Sequence, residues 1–342
     1  MTIRKSVLAF AAISTLSFSA PARAADDALI AAAKKEGAVT IYTSLVINQV
    51  AQPLADAFGK KYGIKATPVR ADTNELIRRI VDESRAGRPQ CDVFDGTTTV
   101  PALKRENLVL QWLPETAKNL PKEFKDENNY WAALYVLASL PGVNNDLVPM
   151  GQEPRSWDDL LDPKWKGKMV WSSGTNTGGI GFVGLALREW GEEKGMGFLR
   201  KLAEQRIASV PTSTRQVLDQ VMAGEYAIGP MSSVHHIMYS ADQGAPVRWR
   251  PVEPAVVSLI TASVAANAPH PNAAKLYFDF LLSDEGQAIF RDNYYLTSNL
   301  NVPPKNPKAL PQPGNYRGQF FTPEQVDAET PKWVKIYQEL FR

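Results

Sequence analysis

Three hydroxyl-rich turns carry most of the chemistry this chain could do. The first is Ser172-Ser173-Gly174-Thr175-Asn176-Thr177-Gly178-Gly179, which opens an expected helix beginning at Ile180. Hydroxyls and unpaired backbone N–H groups at a helix start meet a dipole that favours negative charge. Such a turn is a ready site for an anion, although ordinary N-capping uses the same residue types. The second, Thr212-Ser213-Thr214-Arg215, adds a guanidinium able to grip a carboxylate or phosphate through two parallel bonds. The third is Ser232-Ser233-Val234-His235-His236. The N-terminal half repeats the theme after its strands, with Thr43-Ser44, with Arg70 ahead of Asp72-Thr73-Asn74, and with Asp95-Gly96-Thr97-Thr98. The candidate ligand contacts are Thr43, Ser44, Arg70, Gly96, Thr97, Ser173, Gly174, Thr175, Asn176, Thr177, Ser213, Arg215, Ser233, His235 and His236. Either arginine serves equally well as a surface charge, the usual fate of the residue.

Other chemistries fit poorly. His235 and His236 are neighbours, so on a helix they point about 100° apart and do not easily share one ion. The third histidine, His270, sits between prolines in a turn. The chain has no H-E-x-x-H motif, zinc-type Cys/His cluster or Walker sequence, so neither metal nor cofactor is expected. Gly179-Ile180-Gly181-Phe182-Val183-Gly184 matches G-x-G-x-x-G, but no strand ending in an acid follows about 20 residues on. Its glycines read instead as a tight turn and close helix packing. A hydrolase would find serines and histidines here, but there is no G-x-S-x-G elbow, and hydroxyls at helix starts need no catalytic explanation. No enzyme is expected. The single cysteine, Cys91, reads as a small core residue. Tyr42, Trp131, Trp171, Trp249 and the pair Tyr294-Tyr295 read as core aromatics.

The elements that must position these turns alternate. Expected strands at Val39–Tyr42, Ile64–Val69 and Cys91–Phe94 are interleaved with expected helices at Asn48–Tyr62 and Thr73–Ala86, the latter carrying Leu76, Ile77, Ile80 and Val81 at helical spacing. A second run begins near Ser139, with expected strands at Lys168–Trp171, Ile207–Val210 and Tyr226–Gly229, each followed by one of the hydroxyl-rich turns. Such alternation predicts an α/β fold, and ligands of α/β sheets sit outside the carboxyl ends of the strands. From Ala255 a β-rich run, an amphipathic helix over Asn272–Leu282, a proline-rich strap over Asn301–Gly314 and a last helix over Pro323–Phe341 complete the chain. The second run reads as an insertion: one lobe from residues 25–137 and 256–342, another from 138–255, joined by a two-crossing hinge at Leu137–Pro141 and Pro254–Ser258.

The first residues read as an export signal. Arg4 and Lys5 precede an apolar stretch over Val7–Ala20, and Ala22-Arg23-Ala24 offers the small residues of a cleavage site after residue 24. The stretch is shorter than the roughly 20 residues needed to span a bilayer. Removal of residues 1–24 takes away three basic residues and no acid, so the formal charge of +2 becomes weakly negative. No basic stripe remains for nucleic acid.

The order of segments resembles the bacterial extracellular solute-binding proteins of the branch that includes ferric-ion, hexose-phosphate, thiamine and phosphonate receptors. The matching pieces are Val39–Ser44, Asp92–Asp95, Ser156–Leu161 with Trp165-Lys166-Gly167-Lys168, Met222-Ala223-Gly224-Glu225, and Asn272-Ala273-Ala274 through Glu285-Gly286-Gln287. The resemblance implies a two-lobed type II periplasmic binding fold, each lobe a mixed sheet flanked by helices, closing over a ligand about its hinge. It implies a monomeric periplasmic receptor that serves an inner-membrane ABC permease and its ATPase. Ferric members of the branch place two adjacent tyrosines where this chain has Ser232-Ser233-Val234-His235-His236. Ferric iron favours anionic oxygen ligands, so the resemblance leaves iron as the alternative. The expected ligand is a small anionic organic solute, phosphorylated or carboxylated.

Overall fold

The computed structural model describes residues 27–341; the expected signal segment lies outside them. Helix α1 (Asp27–Glu36) leads into β1 (Ala38–Thr43), α2 (Gln52–Tyr62), β2 (Lys65–Arg70), α3 (Thr73–Arg85), β3 (Val93–Gly96) and α4 (Thr99–Arg105). Local chemistry accounts for these limits. Gly63 ends α2 in the left-handed conformation at φ 72°, and the Asp72 carboxylate caps α3 by accepting from Glu75 N. Leu76 and Ile80 form the buried stripe of α3. β1 pairs in parallel with both β2 and β3.

The long strand β4 (Ala132–Asn144) is buried along its whole length and changes partners midway. Its first part, from Ala132 to Ser139, pairs antiparallel with β9 (Ala255–Val264). Its second part meets two strands of the inserted run. That run comprises β5 (Val170–Ser172), α5 (Gly179–Ala203), β6 (Ala208–Val210), α6 (Thr214–Met222), β7 (Ile228–Ser233), α7 (Val234–Asp242) and β8 (Val247–Trp249). Ser139–Val143 of β4 pair with β7, and Gly142–Asn144 with β8. One strand thus belongs to the sheets of both lobes. Helices α8 (Pro271–Leu282) and α9 (Asp284–Asp292) cover the first lobe, β10 (Leu296–Thr297) adds to the edge of β4, and β11 (Gly318–Phe321) pairs in parallel with β9. Among the described residues, nine strands form one continuous sheet, and β5 and β6 form a separate parallel pair.

The last helix, α10 (Pro323–Leu340), bonds to the first lobe through Glu324 with Trp131 and Asp327 with Arg105, and lays its apolar side on the inserted run. Val326, Trp333, Ile336 and Tyr337 lie in one apolar cluster with Trp157, Phe182, Val183 and Leu199 of the inserted run. The glycine pattern over 179–184 is what lets α10 approach α5. A Cβ on Gly184 would stand 2.6 Å from Trp333, and one on Gly179 would stand 2.4 Å from Tyr337. The Tyr337 hydroxyl lies 2.5 Å from Ser209 Oγ, which fastens the helix end to β6. The G-x-G-x-x-G match is therefore a packing surface.

Several boundaries also move. The Asn48–Tyr62 helix opens as one wide turn over Ile47–Ala51. The segment at Ser156–Leu161 is a short 3-10 turn at Asp158–Leu161, with Ser156 Oγ accepting from Asp159 N at 3.2 Å. The strand expected at Tyr226–Gly229 begins later and runs to Ser233, which delivers Ser232 and Ser233 from its last two positions rather than from a loop.

Candidate functional site

A cleft of about 620 Å³ opens between the two runs of alternating structure, within the size range typical of small-molecule sites. Six strand-to-helix connections reach it. From the first lobe come Ser44 after β1, the Arg70–Asn74 segment after β2, and Thr97 after β3. From the second come Gly174–Thr177 after β5, Pro211–Gln216 after β6, and Ser233, His235 and His236 at the β7–α7 junction. Tyr135 and Leu137 of β4, Ile260 of β9, and Tyr295 just ahead of β10 form the floor. All six connections leave carboxyl ends of strands, the position that α/β sheets offer to ligands.

Most of the candidate contacts from the sequence line this cleft: Ser44, Arg70, Thr97, Gly174, Thr175, Asn176, Thr177, Ser213, Arg215, Ser233, His235 and His236. Three do not. Thr43 is fully buried behind the wall, where its hydroxyl donates to Asp95 and accepts from Leu45 N at 3.0 Å. Gly96 serves a close approach: at φ +147°, a Cβ there would meet Thr99 Oγ1 at 2.2 Å and Thr73 Oγ1 at 3.2 Å. Ser173 is held in its turn by its backbone N–H donating to Val210 O at 2.9 Å.

Buried polar contacts shape the walls. Asp95 accepts from Ser44 N at 2.8 Å and Ser44 Oγ at 2.6 Å, which leaves Ser44 oriented by the protein. Burial pushes the Asp95 carboxyl up from its ordinary value, against the pull of those donors. Across the cleft, Ser172 Oγ donates to Thr212 O and accepts from Gly174 N at 3.1 Å, tying two ligand-facing turns together. Thr175 and Thr177 hydroxyls stand 3.2 Å apart at the mouth of α5, whose N-cap, Gly178, offers no side-chain cap. Ser213 is occupied as a helix cap: it closes a capping box with Gln216.

Of the described charged residues at the cleft, Arg70 is free while Arg215 and Asp72 are engaged. Among the described residues the Arg70 side chain has no hydrogen bond or ion pair, and Arg70 is exposed on the cleft rim. Arg215 reaches Asp219 Oδ1 at 3.0 Å and Ser240 Oγ at 3.0 Å. Asp72 is the α3 cap. The two histidines are buried, with their rings 4.1 Å apart. Burial, helped by the Arg215 charge, pushes His235 down to about 3. His236 is also held well below its ordinary value, first by burial and then by His235 and the two arginines. Both imidazoles are therefore neutral at ordinary pH. Among the described residues, no group of three or more His, Cys, Asp or Glu is placed to hold a metal ion.

The expectation of Tyr294-Tyr295 as pure packing needs correction. Tyr295 is only 1% exposed, yet it faces the cleft and stacks on His235 at 4.1 Å and 34°. Tyr135 was hidden in an unbroken apolar run and stands edge-on to Tyr295 at 4.7 Å. Sequence offered one faint signal for Tyr135, its share of a strand face with Leu137, and none for Tyr295. Tyr42 and Trp171, by contrast, are fully buried away from the cleft, Trp131 is buried, and Trp249 packs against Tyr316.

Residues 89–316 match the family model described as bacterial extracellular solute-binding protein. The chain belongs to that family. A relative named as an Fe(3+)-binding periplasmic protein, from Serratia marcescens, is 23% identical over 289 residues, covering 82% of this chain and 84% of its own. A putative 2-aminoethylphosphonate-binding periplasmic protein of Salmonella typhimurium is 25% identical over 315 residues, 88% of each. A periplasmic binding protein from Actinobacillus pleuropneumoniae, solved with fructose-6-phosphate, superposes with a TM-score of 0.76 at 22% identity, covering 89% of this chain and 98% of that one. The fold is the type II periplasmic binding fold, as the order of segments implied. No helix among the described residues is long and apolar enough to cross a membrane.

Proposed function

We propose that this solute-binding protein captures a small anionic organic solute, phosphorylated or carboxylated, and delivers it as a periplasmic monomer to an inner-membrane ABC permease with its ATPase. Residues 1–24 would direct export and be removed by cleavage after Ala24. The observation that carries the ligand class is the convergence of six strand-to-helix connections on one cleft with the Arg70 guanidinium unpaired on its rim. Uncapped helix starts and a free guanidinium are complementary to a carboxylate or a phosphoryl group. Relatives named for phosphonate binding and solved with a sugar phosphate support the same class. Ferric iron is the weaker reading, although relatives carry it in their names. Among the described residues no group of three or more His, Cys, Asp or Glu is placed to hold an ion, and the adjacent pair at the β7–α7 junction is imidazole, whereas hard Fe(III) calls for anionic oxygen. The role is binding without turnover.

The test is a thermal-shift panel of phosphate esters, phosphonates and carboxylates on the mature chain. A ligand at about 100 times its Kd adds about 2.7 kcal/mol, readily seen as a rise in Tm. Absence of a shift with every anion, together with stoichiometric iron in the purified protein, would replace this reading with the ferric one.

A further inference from the structure

The floor of the cleft differs in character from its rim. Tyr135, His235 and Tyr295 are 6%, 2% and 1% exposed. They form one ring cluster, with Tyr135 and His235 centroids 5.5 Å apart and Phe290 closing the back at 5.8 Å from Tyr135 and 5.7 Å from Tyr295. The rings come from both lobes: β4 and the α9–β10 connection on one side, α7 on the other. Among the described residues none of the three makes a side-chain hydrogen bond to the protein, and all three face the cleft. His236, beside them, has a buried Nδ1 with no partner. A buried polar atom is ordinarily satisfied, and one left unpaired costs about 1–3 kcal/mol, so His236 Nδ1 calls for a partner, while the polar atoms of Tyr135, His235 and Tyr295 stay unbonded toward the cleft. Tyr294 adds a backbone sign of the same kind: at φ 67° it is a bulky residue in the left-handed region, directly before Tyr295. Such strain persists where the surroundings over-determine it.

Building on the reading of the cleft as an anion receptor, we propose that Tyr135, Tyr295, His235 and His236 form a second, uncharged subsite that takes the hydroxyl-bearing body of the ligand. The phenols donate to ligand oxygens, and the neutral imidazoles both accept and donate. The ring faces of Tyr135 and Tyr295 offer apolar area to the carbon skeleton. The preferred solute is therefore a polyhydroxylated organic anion, a sugar phosphate or sugar acid, and simple anions fill only the rim. A site built to hydrogen-bond hydroxyls discriminates strongly against an analogue lacking them, because its own buried groups stay unpaired.

The experiment is calorimetric titration of the mature chain with matched pairs: glycerol 3-phosphate, fructose 6-phosphate and gluconate against propyl phosphate, hexyl phosphate and hexanoate. At least one hydroxylated member is expected to bind tenfold or more tightly than its deoxy partner. Tyr135→Phe and Tyr295→Phe, which keep the rings and remove only the hydroxyls, should shrink that ratio severalfold, while Arg70→Ala weakens both members of a pair alike. Equal affinity within every pair, unmoved by the Phe variants, overturns the floor subsite and leaves the anion reading standing. Failure of every anion to bind overturns both. A visible phenolate–iron absorption on adding ferric nitrilotriacetate, lost in Tyr295→Phe, would reassign the rings to a metal.

Discussion

The neutral histidine pair should make the protein progressively unstable in mild acid. His235 is held down to about 3 from an ordinary 6.5, mainly by burial, and His236 is lowered for the same reason with His235 beside it. In the unfolded chain both imidazoles take up protons as the pH falls through about 6.5, while in the folded chain they stay neutral. The unfolded state then binds more protons, so stability is fully present above about pH 6.5 and declines toward the folded value near 3. The slope approaches about 1.4 kcal/mol per pH unit per histidine. Between about pH 7.5 and 4.5 His235 should remove between about 2 and 3 kcal/mol, a large share of an ordinary domain stability, and His236 should act in the same direction. Buried Asp95 and Asp279 work in the opposite direction: their raised values mean the folded state gains protons in acid and is relatively stabilised there. The histidine contribution is isolated by comparing the wild type with His235→Gln/His236→Gln across that range, using urea midpoints. The two stability curves should converge as the pH falls, because glutamine takes up no proton in either state. Parallel curves would refute the claim that these imidazoles are buried neutral.

Three further outcomes follow from the geometry. Gly184→Val forces a side chain into Trp333, since even a Cβ added at Gly184 would stand only 2.6 Å from it; overpacking should cost about 1–3 kcal/mol, lowering Tm by several degrees in calorimetry, and an unchanged Tm would show that α5 and α10 do not meet there. Arg215→Ala should weaken the tightest anion from the panel about 10- to 150-fold, the loss of one charge-assisted hydrogen bond. Its stability cost comes mainly from the lost bond to buried Ser240, about 1 kcal/mol, because the Asp219 partner is half exposed; an affinity within twofold of wild type would remove Arg215 from the ligand's contacts. Cys91 is buried, and burial holds its thiol well above the ordinary value. It should ignore a thiol-reactive dye in the native protein and titrate as one thiol in denaturant, whereas fast native labelling would contradict the packing.

Much of the fold was legible because it rests on local rules. The Leu76–Ile80 stripe and the Asp72 cap define α3 from within its own segment, and Ser213 with Gln216 does the same for α6. Strand-then-hydroxyl-turn order was enough to find Ser44, Thr97, Gly174–Thr177 and Arg215, since connections after strands converge at one end of an α/β sheet whatever their distance in sequence. The surface that covers the last helix was not legible. An amphipathic helix such as Pro323–Leu340 announces a buried face but not the surface that covers it, and only the glycine-lined side of α5 settles the choice.

The α/β alternation, the family pattern and the hydroxyl-rich turns could be read from the sequence, because each is written in residues close together along the chain. Tertiary structure alone decided what those turns surround. It spent the hydroxyls of Thr43 and Ser213 on internal partners and left Arg70 free. It also carried Tyr135 and Tyr295, 160 positions apart and both dressed as core, onto His235 at the bottom of the cleft. Burial is a property of the packed whole, so whether a buried aromatic faces a neighbour or a ligand is settled only when the two lobes meet.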